Sequence, residues 1–87
     1  MPTCTLDEIV IGIVRFVNTE IMASGQAIAA ADRFDLAGVD SMALLKILLF
    51  VEREFGLWVP EEDLVIGNVA SAAALGGYVD RRRRTGD

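Results

Sequence analysis

Between Ser41 and Phe55, the apolar residues Leu44, Ile47, Leu48, Val51 and Phe55 recur at three- and four-residue spacing. That period predicts an α-helix with one buried stripe. Gly56 stands just beyond it, where a helix closes readily in the left-handed conformation, and Asp40 or Ser41 supplies its N-cap. Lys46, Glu52, Arg53 and Glu54 mark the wet side. Met42, Leu45 and Leu49 lie toward a neighbouring face and exceed what one core stripe needs. Such a helix needs other elements to cover it, and the rest of the chain is patterned to supply them.

Thr5 to about Met22 reads as a first helix. Thr5 and Glu8 form a capping-box pattern, and Leu6, Ile9, Ile13, Val17 and Ile21 form a stripe that Val10, Val14 and Phe16 widen. Ala23 to Asp40 is a long connection, with Ser24-Gly25 near the helix end, a possible helical turn over Ala27–Ala31, and Phe34 and Leu36 as its expected anchors. An unanchored loop of that length is unusual in a small domain. Leu57-Trp58-Val59-Pro60 is extended, because proline biases its predecessor away from helix. Trp58 is expected in core or half-buried packing. Pro60 to Leu64 starts a short helix with acids in its first turn. Asn68 or Ser71 opens a last helix to about Arg83, with Val69, Ala72, Leu75 and Val79 inside. Gly76-Gly77 weakens it by roughly 2 kcal/mol relative to two alanines, unless the glycines serve a close helix approach. The expected fold is all-α, a small four-helix bundle of three longer helices and one short one, with a long loop between the first two. It forms one domain over residues 1–87, with a core from about 5 to 80 and a frayed, Arg-rich tail from Arg81.

Composition then removes function classes. The apolar fraction is 53%, so disorder is not expected. Residues 1–80 hold four basic and twelve acidic residues, a net of −8. That balance argues against a nucleic-acid partner, and the run Arg81–Arg84 fits its own helix C-terminus better than a phosphate backbone. No apolar run approaches the roughly 20 residues that span a bilayer, and the N-terminus lacks the basic region of a signal peptide. Cys4 is the single cysteine, which permits no intrachain disulfide and suits a reducing cytoplasm. With no histidine, His-based triads and His-ligated metal sites are excluded. Gly76-Gly77 has neither the Walker nor the Rossmann spacing. No residue set offers a base and nucleophile pair, so no catalytic residues are assigned.

The chemistry concentrates at Gly38-Val39-Asp40-Ser41-Met42. A serine there sits where loop becomes helix, with its hydroxyl expected outside the buried stripe. Helix N-terminal amides and the dipole favour a phosphate at that position. Taken alone, an Asp-Ser pair is an ordinary cap. Its surroundings are more specific. The run Phe34 to Met42, then Glu52, Phe55, Gly56, Val59, Pro60, Glu61, Glu62 and Leu64, resembles the acyl and peptidyl carrier protein family over nearly the whole chain.

The resemblance implies that Ser41 carries a covalent 4′-phosphopantetheine arm derived from coenzyme A. Asp40 would help recruit the transferase's cation, and Gly38 would keep the approach open. Met42, Leu45, Leu49 and Glu52 would contact partner enzymes. Ordinary core packing is the competing reading for the three apolar residues, and a solvated charge for Glu52. The partners implied are a phosphopantetheinyl transferase, a loading enzyme of adenylation or acyltransferase/ligase type, and downstream synthase, tailoring or thioesterase enzymes, served by a monomeric carrier.

Carriers of fatty-acid synthesis often place an acid two residues after the serine, where this chain has Ala43, and Lys46 and Arg53 interrupt the acidity of the helix. Peptidyl carriers within large synthetases often place histidine before the serine, where this chain has Asp40. These departures favour a free-standing carrier of a specialised polyketide or nonribosomal-peptide pathway. The alternatives are a fatty-acid carrier, or a small helical adaptor that binds one partner through Met42, Leu45 and Leu49. An adaptor would keep its function without Ser41, whereas a carrier would not.

Overall fold

The computed structural model describes residues 5–22 and 26–85. Its helices are α1 (Leu6–Phe16), α2 (Ser41–Phe55), α3 (Ile66–Val69) and α4 (Ala72–Arg84). Cys4 and the expected helix-end pair Ser24-Gly25 lie outside the described residues. The fold is the small all-α bundle that the spacing predicts, with three longer helices and one short one.

The start of α1 is a complete capping box. Thr5 Oγ1 accepts the Glu8 amide at 3.2 Å, and Glu8 Oε1 accepts the Thr5 amide at 2.8 Å. The helical path runs on as expected, but Val17–Ile21 widens into a π turn closed by the Met22 amide on the Val17 carbonyl. Ile9, Ile13 and Val17 are fully buried, whereas Leu6, in the first turn, stays exposed. In α2 the buried residues are Ile47, Leu48 and Val51, with Leu44 and Phe55 half-buried. Phe50 ties α2 to α1 by stacking on Phe16 at 4.5 Å between centroids, and it meets Phe55 edge-on at 5.9 Å. Gly56 takes φ +69°, which closes α2.

Ser71, rather than Asn68, caps α4 by accepting the Ala74 amide at 3.1 Å. Ala72, Leu75 and Val79 are fully buried. Here α4 lies directly on α1. A Cβ added at Gly76 would sit 2.4 Å from Val10 Cγ2 and 3.4 Å from Val10 Cα. Gly76 therefore serves a close helix approach, while Gly77 meets only the end of Arg81, at 3.5 Å.

The long connection is anchored, though not by both expected residues. Asn18, in the π turn, clamps Ile28 from both sides. Its Oδ1 accepts the Ile28 amide at 2.8 Å and its Nδ2 donates to the Ile28 carbonyl at 3.2 Å. The Ala73 amide reaches the Ala30 carbonyl at 2.9 Å, and the Phe34 amide reaches the Ala70 carbonyl at 2.8 Å. Phe34 is buried, but Leu36 is 79% exposed. The Phe34 carbonyl accepts the Ala37 and Val39 amides. This turns Phe34 inward and leaves Leu36 on the outside of the bend.

Three further expectations are corrected. Trp58 is 45% exposed, because the extended segment alternates and Leu57 and Val59 take the inward places. The short helix is not at Pro60–Leu64. That stretch makes only a 3₁₀ turn, Glu61–Asp63, and α3 follows as a single turn. Asp63 is held there by the Tyr78 hydroxyl, which donates to its Oδ2 at 2.6 Å, and by Asn68 Nδ2, which donates to its carbonyl at 2.9 Å. Finally, the arginine run is helical through Arg84 rather than frayed from Arg81. Arg82 donates to the Tyr78 hydroxyl at 2.5 Å and to the Trp58 carbonyl at 3.4 Å, and Arg84 pairs with Asp80 at 3.0 Å.

Two predictions follow from this packing. Gly76→Ala lowers the urea midpoint, by about 1–3 kcal/mol of stability, because Val10 is a stiff β-branched neighbour that cannot step aside. Gly77→Ala instead gains about 0.5–1 kcal/mol from helix propensity. Equal effects of the two changes would contradict the close α1–α4 contact. The second prediction concerns Tyr78. Burial, followed by its bond to Asp63, pushes the phenol above its ordinary value of 10.0, against the opposing pull of Arg82. A pKa raised on folding gives stability that is complete below the unfolded value and is lost as pH climbs through the folded one. Denaturation midpoints should thus fall from about pH 10 upward, and Tyr78→Phe should remove that part of the fall.

Candidate functional site

Ser41 occupies the first position of α2 and is exposed. The sequence left the cap open between two residues, and the structure assigns it to Asp40. Asp40 Oδ1 accepts the Ala43 amide at 2.9 Å, and the Asp40 carbonyl accepts the Leu44 amide at 2.8 Å. Those two bonds satisfy the third and fourth amides of the helix. The amides of Ser41 and Met42 have no protein acceptor among the described residues, which leaves them for water or an anion. The Ser41 hydroxyl is likewise uncommitted to the cap.

Gly38 arrives at this junction with φ +93°, a conformation that side-chain-bearing residues rarely adopt, and a Cβ there would meet nothing within 4 Å. The glycine is therefore needed for the bend and not for want of space. The path into the site is set upstream by Phe34, through the Val39 amide that it accepts at 2.9 Å.

Met42, Leu45 and Leu49 are 66%, 43% and 48% exposed, which removes them from the core. They form one stripe on α2 that begins beside Ser41, and Lys46, Glu52 and Arg53 flank it in solvent. Glu52 makes no ion pair among the described residues.

Val39 and Leu44, which bracket the Asp40-Ser41 junction in sequence, help to line an apolar cavity of about 190 Å³. Phe34, Val39, Leu44, Ile66 and Val69 line it, together with the Arg33–Asp35 pair. That pair is a two-bond contact at 2.6 and 3.1 Å, and it holds the exposed Asp35 carboxyl below its usual range. The contribution of α3 to this wall was not read from the sequence. The available signal was the run Leu64-Val65-Ile66, three consecutive apolar residues that fit no helical stripe. All three are exposed, Ile66 at 81%.

Among the described residues no group of acids and cysteines could hold a metal ion, and no helix is long and apolar enough to cross a membrane. A small all-α domain that presents a free serine hydroxyl at a helix N-terminus, beside an uncovered apolar stripe, has the form of a carrier domain. The family described as the phosphopantetheine attachment site matches residues 12–79. This chain belongs to that family, whose domains bear a covalently bound 4′-phosphopantetheine group. No match was found among curated proteins.

The cap makes a separable prediction. Asp40→Ala removes the acceptor for the Ala43 amide and should cost about 1 kcal/mol of stability, read as a lower urea midpoint. Asp40→Asn keeps an acceptor oxygen and should stay within a few tenths of wild type.

Proposed function

We propose that the chain is a free-standing acyl or aminoacyl carrier of a specialised polyketide or nonribosomal-peptide pathway, with its arm on Ser41. The observation that carries the assignment of Ser41 is its place within the matched family region, as an exposed hydroxyl next to two uncommitted helix amides. A phosphodiester on Ser41 Oγ would lie at the positive end of α2 and be stabilised there. The site fits the group, because Ser41 is exposed at the first position of α2.

In this reading the protein supplies a handle and no catalysis. The transferase joins Ser41 Oγ to the phosphate of the arm, and the remainder of coenzyme A departs. The thiol at the far end of the arm, not Cys4, then bears each thioester. Asp40 contributes the cap through Oδ1, and its carboxylate charge adjoins Ser41, where it can draw the transferase's magnesium. Loading and downstream enzymes meet α2 through Met42, Leu45 and Leu49. The specialised pathway is favoured over fatty-acid synthesis by Ala43, Lys46 and Arg53, which dilute the acidity of this helix. A cytoplasmic, monomeric carrier is the simplest setting for such work.

Intact mass tests the reading directly. Incubation with coenzyme A, magnesium and a broad-specificity phosphopantetheinyl transferase should add one phosphopantetheinyl increment to wild type and none to Ser41→Ala. Asp40→Asn, with its cap intact, should accept the increment more slowly at limiting magnesium. A folded wild-type chain refused by its cognate transferase as well would end the carrier assignment and leave the adaptor.

A further inference from the structure

The outward stripe of α2 is neither bare hydrocarbon nor uniformly charged. Each of Met42, Leu45, Lys46, Leu49 and Arg53 stands three or four residues from another of the set, so together they cover one face. All five are exposed. The two cations stand toward the α1 side of the stripe. Lys46, Leu49 and Arg53 share a cleft of about 310 Å³ with Phe50 of the stacked pair, Phe16 of α1 and Glu20 of the π turn. The Arg53 guanidinium lies 6.0 Å from the Phe50 ring centroid. Among the described residues its ion pair is with Glu54, 3.7 Å away, with side chains 71% and 51% exposed, a contact too wet to neutralise it, and Glu20, which lines the same cleft, makes no ion pair with either cation. Glu52 sits on the opposite edge, next to Leu45.

The stripe starts at Met42, immediately after Ser41. On the carrier reading, an enzyme that acts on a group attached to Ser41 comes down beside this face, and that enzyme is the occupant proposed for it. Charge complementarity then fixes the partner's chemistry, because like charges opposed across an interface are strongly disfavoured.

We infer that the enzymes serving this chain dock on α2 with an apolar ridge whose α1-side edge carries carboxylates, set against Lys46 and Arg53. This rests on the carrier reading above and specifies the partner for the same site. Cognate enzymes would thereby reject carriers with an acidic residue in place of Lys46 or Arg53, and this chain would be read poorly by enzymes whose docking sites are wholly basic.

Two synthetic amphipathic helical peptides supply the probe. They share one leucine face and differ only in glutamate or lysine along one edge. Amide chemical shifts of the full-length chain are followed as each is added. The glutamate-edged peptide should move the resonances of Met42–Arg53 and bind about fivefold tighter than the lysine-edged one, as one or two exposed ion pairs allow. The preference should shrink with salt and reverse in the Lys46→Glu/Arg53→Glu variant, whose changes fall at two exposed positions.

Equal binding of the two peptides, binding by neither, or perturbations away from α2 would each overturn the inference. So would line broadening that grows with the chain's own concentration before peptide is added, since a second copy would then be the occupant. Failure of the carrier reading shows separately, as a missing mass increment on wild-type Ser41.

Discussion

The position of Ser41 depends on one buried ring in a loop. Phe34 is 3% exposed, its amide is fixed to Ala70 ahead of α4, and its carbonyl receives the Ala37 and Val39 amides. Those contacts place Gly38, and Gly38 places the Asp40-Ser41 junction. Without Phe34 in the core, the segment before α2 would have no fixed direction, and the capped helix start would have no fixed surroundings. The apolar cavity uses the same ring as a wall. One aromatic residue thus joins the packing of the bundle to the geometry at the start of α2.

The rest of the bundle divides rigid from available surface. The α1–α4 contact is tight enough to require glycine at position 76, and the two helices are further held by the Thr5–Glu8 capping box, the Ser71 cap and the Asp63–Tyr78–Arg82 chain of bonds. By contrast α2 buries only one side, on Ile47, Leu48 and Val51. Its opposite side is left to solvent with three large apolar residues. Keeping that area wet forgoes burial worth about 25 cal/mol per Å², a cost that suits a surface covered intermittently by other proteins. The buried side fixes α2 in the bundle, and the outer side stays accessible without loss of that packing.

Helix periodicity made the three long helices legible. The cap at Thr5 and the stop at Gly56 follow from side-chain chemistry that acts within one turn, and local rules recover them, whereas at the start of α2 those rules leave Asp40 and Ser41 both open. What the sequence hid was decided by competition between neighbours for inward places. Trp58 has the larger apolar surface, but a strand alternates, and Leu57 and Val59 took both inward positions. Leu36 and Phe34 are two apolar residues in one bend, and only one can turn inward. The short helix moved downstream because Asp63 is claimed by Tyr78, fifteen residues away in sequence, a contact that no local pattern announces. The arginine run was legible as charge but not as structure, since its order comes from the bonds of Arg82 to Tyr78 and the Trp58 carbonyl. At the site, Ser41 and the exposed α2 stripe were readable from motif and surplus hydrophobicity. The α3 wall was not, because an apolar run without helical spacing gives no face.

The clamp of Asn18 on Ile28, with the backbone ties at Ala30 and Phe34, changes what kind of polymer the long connection is. Three fixed points turn one extended closure into several brief ones, and the entropy of ordering is spent in small steps rather than at once. Changes in length should consequently be poorly tolerated between Ile28 and Asp40: an added residue there would displace a tether or rotate the start of α2. The connection behaves less as a hinge between two helices than as a ruler laid between them, and its graduations set where Ser41 stands.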